Sequence, residues 1–148
     1  MAMSGQGAVL SDFVRTSGPL YGQALHHLAL ACASAVAKLH ARGNVGLGLS
    51  HESVALGLNG QVLIGWQPGI TPGSAADDMR AWADLVVFAG TGRTDGDTAA
   101  LPPALRLAVR QCRRPDPTTR PRAADVLRVL LGQSVAAAVA SVDDLLAS

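Results

Sequence analysis

With 148 residues, nearly half of them apolar, and a formal net charge of +1, the chain is about one domain long and can bury a core of its own. Charged residues make up only 16% and aromatics 3%, which excludes a disordered chain and leaves few rings to stack on bases, so no nucleic-acid partner is expected. No apolar run approaches the roughly 18 residues that span a bilayer, and "MAMSGQGAVLSDF" lacks a secretory pattern, so the expectation is a cytoplasmic protein with no membrane partner.

Residues 9–16, "VLSDFVRT", predict a short helix with Ser11 as N-cap, ended by Ser17-Gly18-Pro19. In "YGQALHHLALACASAVAKLHARG", Leu25, Leu28, Cys32, Val36 and Leu39 recur at three- and four-residue steps, and Gly43 follows a basic last turn as a C-cap does. This predicts a long core helix with one apolar face. The short runs "VGLGLS", "SVALGL" and "QVLIGW" follow, with Asn59-Gly60 between the last two, the turn signal of a β-hairpin. A loop, "QPGITPGS", leads to a second, more apolar helix in "ADDMRAWADLVVFAGTG". After the loop "RTDGDTAALPP", a third helix reads from "PALRLAVRQCRR" and is broken by Pro115 and Pro117. A fourth begins in "RPRAADVLRVLLG" with Pro121 near its first turn, and the Ala-rich tail 132–148 extends or follows it.

Cys32 and Cys112 lie in apolar helical sequence, which suits buried thiols rather than a disulfide. Seven arginines (Arg106, Arg110, Arg113, Arg114, Arg120, Arg122 and Arg128) fall after residue 100 but alternate with Leu, Val and Asp, as on a solvated helix face. His26, His27, His40 and His51 have no Cys or carboxylate at ligand spacing, so no metal site is expected. "GTGRTDGD" lacks the Lys-Ser/Thr ending of a phosphate loop and follows a helix where such a loop must follow a strand. Ser11, Ser50 and Ser53 have no His and acid in a nucleophile context.

The order of long helix, hairpin, loop, apolar helix and paired C-terminal helices resembles the C-terminal lobe of eukaryotic-type protein kinases, in particular the bacterial Ser/Thr branch. "AVAKLHARGNV" is similar to the helix leading into the catalytic loop. "DDMRAWADLVVFAGTGR" is similar to the family's central helix, with Asp78 at its N-terminal Asp. "CRRPDPTTRPRAADVL" is similar to the last conserved segment, with Asp116-Pro117 before Arg120-Pro121. The resemblance runs over about residues 9–131 and implies a mainly α fold with a small β-hairpin: a single, minimal kinase C-lobe-like domain over 1–148.

The same resemblance implies an emptied active site. The family's His-Arg-Asp falls on Gly46-Leu47-Gly48, so the Asp that accepts the substrate proton is replaced by Gly48. The loop Lys falls on Ser50, the magnesium-binding Asn on Ser53, and Asp-Phe-Gly on Trp66-Gln67-Pro68. A neutral hydroxyl is a poor magnesium ligand and an indole is none, so the expectation is a pseudokinase with no catalytic residue, no metal, no nucleotide and no other cofactor. Upstream of residue 9 the chain is too short for an N-lobe, and the activation segment is reduced to "GITPGSAAD" without an Ala-Pro-Glu motif. Arg120 thereby loses the Glu it would pair with, and Asp77, Asp84 or a helix C-terminus is the expected substitute.

Asp78 and Arg120 are thus expected as structural anchors. Trp66 reads either as a plug filling the vacated nucleotide space or, with Leu47, Leu49 and Ile64, as an apolar floor that an N-lobe would cover and a partner can use. The function expected is a non-catalytic scaffold that docks a protein partner or a second copy of itself. The alternative is the substrate-binding subunit of a kinase-like enzyme completed by a separate polypeptide.

Overall fold

The computed structural model describes residues 8–56, 62–65 and 73–132. The turn at Asn59-Gly60, the Trp66-Gln67-Pro68 stretch and the tail beyond Gly132 lie outside the described residues.

The fold is mainly α with a small antiparallel sheet. Strand β1 (Ala8–Val9) runs directly into helix α1 (Leu10–Ser17), and α2 (Gly22–Ala41) follows. Strands β2 (Val54–Leu56) and β3 (Val62–Ile64) form the hairpin, in the register Val54↔Ile64, Ala55↔Leu63 and Leu56↔Val62. The two-residue β1 adds a third strand on the other side of β2, so the sheet order is β1-β2-β3. Helices α3 (Ala75–Thr91) and α4 (Pro103–Cys112) come next, and residues 123–132 are helical (α5).

Each helix begins and ends for a local reason. Ser11 does not cap α1: the chain enters the helix from β1, so Val9 is the N-cap, and the Ser11 amide donates to the His51 carbonyl (3.0 Å). At the end of α2 the Gly43 amide donates to His40 O and the Asn44 amide to Leu39 O, with Gly43 at φ +84. This is a Schellman motif, and it turns the chain sharply into the loop beyond. Helix α3 starts with a capping box in which the Ser74 hydroxyl accepts from the Asp77 amide while the Asp77 carboxylate accepts from the Ser74 amide. Pro103 opens α4 at its first turn, where its missing N–H has no partner to lose. Pro121 lies just before α5, and the Arg122 amide donates to the Asp125 carboxylate.

The core sits around α3, which packs on α2 and α4. Trp82 is its centre: the indole is fully buried and its Nε1–H donates to the Ala29 carbonyl of α2 (3.1 Å). The apolar face expected of α2 is the one that enters the core, with Leu25, Leu28, Cys32 and Val36 buried. Among the described residues, no helix is long and apolar enough to cross a membrane.

Candidate functional site

The loop 44–53 leaves the Schellman turn of α2 and passes over the N-terminus of α3. Asp78, in the first turn of α3, is 2% exposed. Its Oδ1 accepts from the Leu47 amide (2.8 Å), and its Oδ2 accepts from the Gly46 amide (3.1 Å). His40 Nε2 lies 2.8 Å from the same Oδ2. Burying a carboxylate is costly unless its lone pairs are filled, and two successive amides with an imidazole fill them here. The carboxylate therefore fixes the loop to α3 and to the last turn of α2.

The loop takes its shape from glycine. Gly46 and Gly48 have φ of +67 and +66, the left-handed region that other residues enter at a cost of roughly 1–2 kcal/mol. This explains why "VGLGLS" forms no strand. Gly73 comes close to Gly46 from the other side, with a Cβ at 73 only 3.4 Å from the Gly46 Cα. Further on, the Ser53 hydroxyl donates to Ser50 O (3.1 Å) and accepts from the Ser50 amide (2.9 Å). Its one proton is committed to closing the 50–53 turn, while Ser50 Oγ accepts from the Glu52 amide (3.2 Å).

Leu47 and Leu49 require a correction. They were expected on an uncovered apolar floor, but they are 4% and 5% exposed and belong to the chain's own core. The glycines on either side of Leu47 turn these side chains inward. Ile64 is half-buried on β3, and Trp66 lies outside the described residues.

Arg120 reaches neither Asp77 nor Asp84. Its Nη1 donates to the Ala76 carbonyl in the first turn of α3 (3.0 Å) and its Nε to the Arg114 carbonyl (2.8 Å). Asp84 is held by Arg113, whose Nε donates to its Oδ1 (2.8 Å) and whose Nη2 donates to Thr94 O. Arg120 thus ties the segment before α5 to the start of the anchor helix, through carbonyls and not through an acid.

Two arrangements were not foreseen from the sequence. His40 had been weighed only as a metal ligand, yet it completes the Asp78 site; its position in the last turn of α2, three residues before Gly43, is the signal that locates it. Ala35, Lys38, Leu39 and Arg42, spaced i, i+3, i+4 and i+7, face Val62 and Ile64 of β3 across a groove of about 330 Å³. Among the described residues no cluster of three or more His, Cys, Asp or Glu side chains forms a metal-binding group, and His51 stacks on Phe88 with ring centroids 4.2 Å apart. Burial pushes the Cys32 thiol up to about 12, and does the same at Cys112 against a smaller opposing effect of Arg120 and Arg114. Neither cysteine is a nucleophile near neutral pH.

No family model matches the sequence, and no curated protein matches it either. Among solved structures, the chain is similar to the crystal structure of Rad53 1-466 in complex with AMP-PNP, with a TM-score of 0.71 and 18% sequence identity. The match covers 82% of this chain and 43% of the Rad53 chain, so the chain spans less than half the length of that structure. At this identity the likeness concerns the fold alone, and the fold of this chain is protein kinase-like.

Proposed function

We propose that this chain is a non-catalytic, pseudokinase-like module that acts by binding protein, either a partner or a second copy of itself, without phosphoryl transfer or magnesium-ATP binding. One observation carries the reading. The loop matched to the catalytic loop is held by Asp78 through two backbone amides, yet the position of the catalytic Asp is Gly48, at a φ of +66. An anchor of this kind serves architecture whether or not chemistry follows it.

Phosphoryl transfer depends on placing a base at the acceptor hydroxyl and metal ions on the phosphates. Gly48 supplies no base. Ser53 stands where a magnesium-binding Asn is expected, and its hydroxyl is engaged with Ser50. Trp66 stands where a metal-binding Asp is expected, and indole does not ligate magnesium. Rad53 was crystallised with AMP-PNP; the residues at these three positions argue against carrying that nucleotide over to this chain.

The test is a phosphoryl-transfer assay with radiolabelled magnesium-ATP and general protein substrates. The expected result is no label above the level of a protein-free control. Label incorporation that rises in proportion to the chain and is abolished by Asp78→Ala would refute the reading.

A further inference from the structure

The groove between α2 and β3 combines two features that the Asp78 site lacks. It is apolar at its floor, through Ala35, Leu39, Val62 and Ile64, and cationic at its rim, through Lys38 and Arg42. Lys38 and Arg42 are one helical turn apart and both exposed. Among the described residues neither has an ion-pair partner. Among the described residues, no acidic residue lines the groove. Among the described residues β3 is an outer strand of the sheet, so the groove borders a sheet edge.

Resting on the reading of the chain as a protein-binding module, we propose that this groove docks a short acidic and apolar segment of a partner protein. Aliphatic side chains of that segment contact Leu39, Val62 and Ile64, and its carboxylates meet Lys38 and Arg42. The charge pattern specifies the occupant: a basic segment is repelled by both rim residues, and a purely apolar one leaves two cations without counter-charge. The size specifies its length. A groove of about 330 Å³ is at the lower limit of roughly 300 Å³ for small-ligand pockets, so it takes a few residues.

The experiment is selection of a displayed random-peptide library on the full chain. Enriched peptides are then titrated by fluorescence polarisation against wild type, Lys38→Glu/Arg42→Glu and the milder Lys38→Gln/Arg42→Gln. Circular dichroism checks that both variants fold; if the charge reversal does not, the neutral variant alone decides. The expected result is enrichment of peptides in which Asp or Glu flank Leu, Ile or Val. Their affinity should fall about tenfold or more with the charge reversal, severalfold with the neutral variant, and progressively with added salt.

Peptides without acidic residues, or peptides bound by both variants as tightly as by wild type, would overturn the groove proposal while leaving the protein-binding reading intact. So would the absence of any enriched peptide, since the non-catalytic reading stands or falls on phosphoryl transfer. The chain's own Asp143-Asp144-Leu145-Leu146 has the same chemistry as the proposed partner. If Asp143→Lys/Asp144→Lys in the full chain raises peptide affinity tenfold, that segment is the occupant and the partner proposal is overturned.

Discussion

Replacing Asp78 with alanine should be among the most damaging single changes in the chain. The substitution strips two buried amides, Gly46 N–H and Leu47 N–H, of their acceptor, and takes the 2.8 Å partner from His40. An unsatisfied buried donor costs about 1–3 kcal/mol, and the two amides together dominate the loss. Relief from burying a charge returns part of it, so the net loss should be about 3–5 kcal/mol, the range seen when one partner of a buried ionic contact is removed. Domains of this kind have total stabilities of about 5–15 kcal/mol, so the loss would be a large fraction of the whole. Asp78→Asn preserves shape and one acceptor oxygen and should cost less, about 1–3 kcal/mol, because its amide nitrogen opposes one donor instead of accepting from it. Urea unfolding followed by circular dichroism measures both. A cost below about 1 kcal/mol for the alanine variant, or equal costs for the two variants, would refute this account of the anchor.

Trp82→Phe leaves the Ala29 carbonyl without its indole donor and leaves a void at the centre of the core, so it should cost about 2–4 kcal/mol by the same assay. Cys32 and Cys112 should resist iodoacetamide in the folded protein at pH 8 and react on unfolding. Their thiols titrate at 9.0 ordinarily and at about 12 when folded, so the folded state holds these protons more tightly. The stabilisation is complete below pH 9 and should be lost as pH rises towards 12, visible as a falling unfolding midpoint in urea. Gly48→Asp restores a carboxylate at the base position but forces a side chain onto a φ of +66. It should cost about 1–2 kcal/mol and, on the proposed reading, yield no phosphoryl transfer, because Ser53 and Trp66 offer no good magnesium ligand.

Much of the frame was legible because it is written locally. The apolar steps of α2 and the glycine after its basic last turn each act within a few residues, and each appears where such rules put it. The hairpin was legible from two short apolar runs with Asn59-Gly60 between them. The two-residue β1 was not, since its pairing with β2 depends on partners some 47 residues away in sequence and leaves no periodic trace.

At the site, the residues that could be named were those with a family counterpart, and their surroundings were the part that escaped. Leu47 and Leu49 were placed by the family resemblance on a floor that an N-lobe would cover, but glycines at positive φ reverse the chain and send both side chains inward. For Arg120 the sequence left Asp77, Asp84 and a helix C-terminus open as partners; the guanidinium satisfies itself on carbonyls, one of them Arg114 O just past the end of α4. His40 and the α2–β3 groove needed the third dimension, because His40 meets an aspartate 38 residues away and the groove joins a helix face to a strand.

The central claim, a kinase-like frame whose nucleotide chemistry is gone, is tested most directly by calorimetric titration of ATP into the full chain with and without magnesium. The account predicts no saturable heat in either condition. A magnesium-dependent binding isotherm with one site per chain would contradict it, and would show that ligands other than residues 53 and 66 hold the metal.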